Sequence, residues 1–151
     1  MVTTVWRFLL VSWLASVLIV ISLPGGKFDG TPHWESIQWI PFAALSFHRA
    51  VVTETLANLL AFIPIGYLAV RSFASGIKRP LLLAGLVGLT ASFSIEIYQL
   101  FCLSRVPSST DLLLNTAGAV LGAQLALKLD DLIGFFSRRM PFASPNTNAQ
   151  E

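Results

Sequence analysis

Long apolar runs broken by short polar stretches set the pattern of this chain. The first run covers 5–23, the second 51–71, the third 81–103 and the fourth 111–129. At about 1.5 Å per residue, roughly 20 helical residues cross the ~30 Å hydrocarbon core of a bilayer, so each run predicts a transmembrane helix. The fold class read from this pattern is all-α, a polytopic membrane protein of four transmembrane helices. Residues 1–140 read as one membrane domain, with no repeated unit and no second domain. Residues 141–151, small, amide and Pro-rich with nothing to bury, have the composition of a disordered tail.

The first run raises the question of a signal peptide. It is long for one, and Ser22-Leu23-Pro24-Gly25-Gly26 is not an A-x-A-like cleavage site, so a retained anchor helix is the reading. Between helices 1 and 2, Pro24, Gly25, Gly26, Gly30 and Pro32 break regular structure. The stretch from His33 to Phe42 then mixes Trp34 and Trp39 with polar groups. Tryptophan favours the headgroup layer, which predicts an interfacial segment lying along the membrane surface and capping the bundle.

Composition strengthens the membrane reading. The chain is 54% hydrophobic and only 12% charged, half the charge of a typical soluble domain, with a mean hydropathy of +0.70. The net charge of +2 comes from basic residues at the ends of apolar runs. With the N-terminus inside, Arg7, Arg71, Lys78, Arg79, Lys128, Arg138 and Arg139 face the cytoplasm, against Lys27, Arg49 and Arg105 outside. Lys and Arg favour the inner side, so both termini are expected there. No basic patch with interleaved aromatics exists, which excludes a nucleic-acid partner. The lone Cys102 can form no internal disulfide.

Candidate chemistry lies in the few polar residues inside the apolar runs. Glu54 and Asn58 stand at i, i+4; Ser92, Glu96 and Gln99 at i, i+4, i+7; Asp111 and Asn115 at i, i+4. At 3.6 residues per turn each set forms one stripe, and all three fall at the outer ends of their helices. Ala61, Gly88, Gly118 and Gly122 share these faces, and small residues let helices approach closely in lipid. A carboxylate in the bilayer centre costs about 2.5–3.5 kcal/mol and less near the ends. Three acids there, with Arg49 and Arg105 as the available cations, predict a carboxyl that shares a proton, which suits acid–base work.

Glu96, Glu54 and Asp111 are therefore the candidate catalytic residues. Arg105, Asn58, Gln99, Asn115, Ser92 and Arg49 are the candidates for binding a ligand in the same outward-facing pocket. Each also has a structural reading: Glu96 as a strut to Arg105 or Asn115, Arg105 as a neutralising partner, Asp111 as a helix N-cap, and Asn58 and Asn115 as interhelical hydrogen-bonding groups. No metal is assigned, because His33 and His48 lack ligand spacing; whether either joins the site stays open. No phosphate loop, nucleophile elbow or Cys–His pair is present, so no cofactor is expected.

Three ordered motifs carry a resemblance. Asn58-x-x-x-Phe62-x-Pro64-x-Gly66, then Ser92-x-x-x-Glu96-x-x-Gln99, then Arg105-x5-Asp111-x3-Asn115-x-x-Gly118-x-x-x-Gly122 resemble the VanZ-like family. Between Arg105 and Asp111, where that family often has an aromatic–acidic pair, this chain has Val106-Pro107-Ser108-Ser109-Thr110. The resemblance implies a small multi-pass protein of the bacterial inner membrane, linked to teicoplanin resistance. One reading is a pocket that binds, and modifies, a membrane lipid or lipid-linked envelope precursor. Its rival is a non-catalytic accessory protein that binds the antibiotic, its target or a partner enzyme. A transporter or flippase is disfavoured, because polar groups confined to one leaflet give no through-path, although a homo-oligomer could build one.

Overall fold

The computed structural model describes residues 2–22, 27–43, 49–73, 77–103 and 105–139. The tail 141–151, His48 and the Pro24 to Gly26 break lie outside the described residues. Among those described the fold is all-helical. It comprises α1 (Val2–Ser22), a short 3-10 turn (Trp34–Ser36), α2 (Arg49–Ser72), α3 (Pro80–Leu100) and α4 (Ser109–Arg139). All four α-helices are long and apolar enough to cross a membrane, and large apolar side chains such as Phe8, Leu60, Leu86 and Leu113 are exposed on their outer faces. An apolar exterior is what a bilayer solvates, so the chain is a multi-pass membrane protein.

α2 and α4 form the most extensive helix pair, with α3 against α4 next. The reason lies in the small residues. A Cβ at Gly118 would collide with the Leu59 carbonyl, one at Gly122 with the Ile63 carbonyl, and one at Gly66 with the backbone of Ala119. Glycine here buys close backbone contact, the packing that replaces the hydrophobic effect between helices in lipid. The matching four-residue steps, 59 to 63 on α2 and 118 to 122 on α4, make these two helices parallel. Gly88 of α3 meets Ala119 and Thr116, while Gly85 meets Val120, so α3 runs antiparallel to α4. α1 packs through Leu10 and Val17 onto Phe62, Ile65 and Ile95, and its Trp13 donates to the Ala61 carbonyl at 3.0 Å.

Two helix ends differ materially from the sequence reading. The third run, read as 81–103, ends its helix at Leu100. Residues 101–103 instead pair with the loop before α2: the Asp29 amide donates to Phe101 O and the Leu103 amide to Lys27 O. The fourth run, read as 111–129, is helical over Ser109–Arg139, about 46 Å at 1.5 Å per residue. Hydropathy falls after Leu129, but helix-compatible side chains continue. Asp130 pairs with Arg71 of α2, and Arg138 and Arg139 in the last turn complement the helix dipole. The first two helices, read as 5–23 and 51–71, occupy Val2–Ser22 and Arg49–Ser72; α2 continues through Pro64.

Residues 27–43 form a strap across the end of the bundle where α3 turns into α4. Its first half is tied to 100–103, with the His33 amide donating to Leu100 O at 2.9 Å. Its second half is tied to the start of α4. The Gln38 amide donates to Pro107 O and the Ser109 amide to Gln38 O, while the Phe42 amide donates to the Thr110 hydroxyl. Trp34, Trp39, Ile40 and Phe42 stay exposed on the strap.

Candidate functional site

Beneath the strap, α3 and α4 bury a polar cluster. Ser92 is 0% exposed, Glu96 9%, Gln99 6%, Asn115 1% and Ser108 9%. The i, i+4, i+7 spacing of the α3 residues puts them on one face. Asn115 donates through Nδ2 to Ser92 Oγ at 2.9 Å, while its Oδ1 is buried with no partner. Turning the amide over would satisfy Oδ1 and orphan Nδ2, so one end of Asn115 is unmatched in either orientation.

Glu96 accepts the Ser108 amide at 2.7 Å through Oε2. Ser108 is the N-cap of α4: its hydroxyl accepts the Thr110 amide at 3.2 Å, and its carbonyl accepts the Leu112 amide. Ser108-x-x-Asp111 has capping-box spacing, in which the fourth residue would take the cap's own amide. Here Glu96 takes that amide from across the helix pair. Its carboxyl also sits at the positive end of the α4 dipole, a place that favours anions. Glu96 thus braces the start of α4 at Ser108, a partner the sequence reading did not name, and Asn115 bonds Ser92 between α4 and α3, in keeping with its reading as an interhelical hydrogen-bonding group. Asp111 lies in the first turn of α4 instead of capping it, because the helix begins at Ser109.

Asp111 and Arg105 are half-buried, and each is engaged with neighbours. Asn58 is half-buried on α2. Continuing the α2–α4 register up one turn sets it near the level of Asn115 and Gly118, and sets position 54 near the start of α4. Glu54 and Arg49 belong to α2, but their side chains lie outside the described ones. The helices thus join Asn115 to Ser92 and Glu96 to Ser108 directly, with Gln99 buried on the same face of α3, Asp111 and Arg105 half-buried and Asn58 at matching depth.

The sequence reading missed Ser108, which carried a visible signal in its capping-box spacing. It also missed a polar contact at the opposite end, where Arg71 pairs with Asp130 and lies over the Tyr67 ring. His33 directs its ring nitrogens to Asp29 at 3.0 Å and Glu35 at 3.7 Å. In that knot the Thr31 hydroxyl, donating to Asp29, holds the Asp29 carboxyl below its usual range against the opposing effect of desolvation, and the Thr31 amide and His33 add to the lowering. Among the described residues, no three His, Cys, Asp or Glu side chains converge as metal ligands. Two described surface grooves, along α3–α4 and α1–α3, are apolar and lined by none of the candidate site residues.

Comparison with known proteins adds a family and nothing finer. The family model described as VanZ/LLP1 matches residues 6–133, which reaches into all four helices and takes in every candidate site residue. No curated protein and no solved structure matches the chain.

Proposed function

The chain belongs to the VanZ/LLP1 family of membrane proteins, and from that premise we propose that its strap-covered polar cluster binds the polar headgroup of a lipid-linked cell-envelope precursor. One observation carries this reading: an ionisable side chain, Glu96, is 9% exposed inside a membrane helix. Ionisable groups at such positions are expensive to insert and are retained where they act on substrates or ions. The surrounding Ser92, Gln99 and Asn115 supply hydrogen-bonding groups, and Arg105 at the rim offers a planar donor fork for a phosphate or carboxylate. Glu96 with Glu54 or Asp111 forms the acid–base pair for any change made to that headgroup. Both termini are assigned to the cytoplasm of a bacterial inner membrane, with the strap facing outward. In that setting the site meets envelope precursors, which links the protein to glycopeptide resistance.

A specific observation favours a second reading. The Glu96 carboxylate is committed to the Ser108 amide, so it can serve as a brace in a non-catalytic accessory protein that binds the antibiotic, its target or a partner enzyme. Teicoplanin susceptibility of cells carrying Glu96→Gln separates the two. The lipid-modifying reading expects loss of protection with normal protein levels in the membrane. Full protection by Glu96→Gln would sink it and leave the accessory reading.

A further inference from the structure

On their lipid-facing side, α3 and α4 leave a groove of about 490 Å³, lined by Leu89 of α3 and by Leu112, Leu113, Thr116, Ala117, Val120 and Leu121 of α4. Its wall is hydrocarbon: the single hydroxyl, Thr116 Oγ1, is turned back onto the Leu112 carbonyl at 2.7 Å. The groove begins at Leu112, next to Asp111 in the Ser108-capped first turn. It follows α4 for nine residues, about 14 Å, away from the strap and into the membrane-spanning part of the bundle.

We propose that this groove seats a hydrocarbon chain of the lipid whose headgroup occupies the Glu96–Arg105 site. The inference rests on the headgroup reading above and adds that the ligand is recognised as an amphiphile, by head and chain together. A water-soluble ligand would leave the groove unused, and a bare hydrocarbon would leave the polar end unused. Only a lipid matches both across one turn of helix. Inside a bilayer a lipid chain gains little by leaving other chains for an apolar wall, so the groove's part is geometric: it holds the chain where the head reaches the polar site, and a chain displaced from it takes the head out of reach. A second groove, of about 390 Å³ between α1 and α3, is equally apolar. Its α3 lining ends at Ala91, beside Ser92 but five residues short of Glu96 and on the face away from Ser108 and Arg105, which makes it the control for the head-end contact.

The test uses the full chain in detergent micelles, titrated with dioleoyl phosphatidic acid and read by native mass spectrometry as bound fraction. Ala117→Phe fills the proposed groove from an exposed position, Thr90→Leu fills the control groove, and Arg105→Ala removes the head contact. Should Ala117→Phe fail to fold, Leu121→Trp fills the same groove lower down. The expected result is an affinity loss of tenfold or more for Ala117→Phe and for Arg105→Ala, with Thr90→Leu within twofold of the parent chain. Loss with Arg105→Ala but not with Ala117→Phe overturns the groove and keeps the headgroup reading. Loss with Ala117→Phe alone keeps a lipid groove and overturns its coupling to the polar site. Equal loss with Thr90→Leu, or no specific binding by the parent chain, overturns the proposal.

Discussion

Replacing Glu96 in two ways separates its brace from its chemistry. Glu96→Gln keeps an oxygen able to accept the Ser108 amide, now at 2.7 Å from the carboxylate, and removes the charge. Hydrogen bonds to charged groups contribute about 1.5–3 kcal/mol and neutral ones about 0.5–1.5, and this loss of about 1 kcal/mol is offset by relief of the buried charge, so the substitution leaves stability within about 1 kcal/mol of the parent. Glu96→Ala leaves the N-cap amide of α4 buried without an acceptor, about 1–3 kcal/mol, and opens a cavity where a 9% exposed side chain stood. A total near 3 kcal/mol is expected. At roughly 2–4 °C per kcal/mol for a chain this long, the midpoint in detergent should stay within about 3 °C of the parent for Gln and fall about 10 °C for Ala. If Glu96 is the acid or base of the proposed function, a role contributing about 10²–10⁴ in rate, cellular protection collapses in both variants, although only one is much destabilised. Equal thermal losses for Gln and Ala would refute the Ser108 brace.

The glycines give predictions of opposite sign. Gly122→Ala drives a methyl into the Ile63 carbonyl and should cost about 1–3 kcal/mol by forcing α2 and α4 apart. Gly85→Ala meets only Val120 Cγ2 at 3.5 Å and should stabilise by about 0.5–1 kcal/mol; paired melting curves check both. Asn115→Leu removes an amide with an unmatched end and leaves Ser92 able to bond its own helix carbonyl. Its midpoint should equal or exceed that of the parent, while lipid binding falls, a combination that a purely structural role for Asn115 would not produce. The Asp29 carboxyl is held below 3.8 in the folded strap, so its contribution is present above that value and lost as pH falls through the lower folded one. Amide exchange at Thr31 and His33 should quicken, after correction for intrinsic rates, as pH falls below about 3.8.

Much of this fold was legible because lipid simplifies the code. Apolar run length gave the four helices, and the spacing of Gly118 and Gly122 gave the face that packs. Helix ends were less legible, because hydropathy marks where the bilayer stops and not where hydrogen bonding stops. That is why α4 continues past Leu129, through the Arg71–Asp130 contact, to Arg139. Of the candidate site, the α3 stripe and Asn115 could be read from spacing alone. Who bonds whom could not. Whether Glu96 braces Arg105, Asn115 or an amide depends on where the 27–43 strap pins the start of α4, and that pairing joins segments some 70 residues apart in sequence, as between Gln38 and Ser109. Local patterns carry no record of such a contact.

The headgroup claim meets its most direct test in an experimental structure of the full chain in bilayer nanodiscs made from bacterial polar lipids. A headgroup within hydrogen-bonding distance of Glu96, Gln99 or Arg105, with its chain passing down α4, is the predicted result. The buried cluster bonded only to protein and water beneath the closed strap, with ordinary lipids confined to the outer faces, would contradict it.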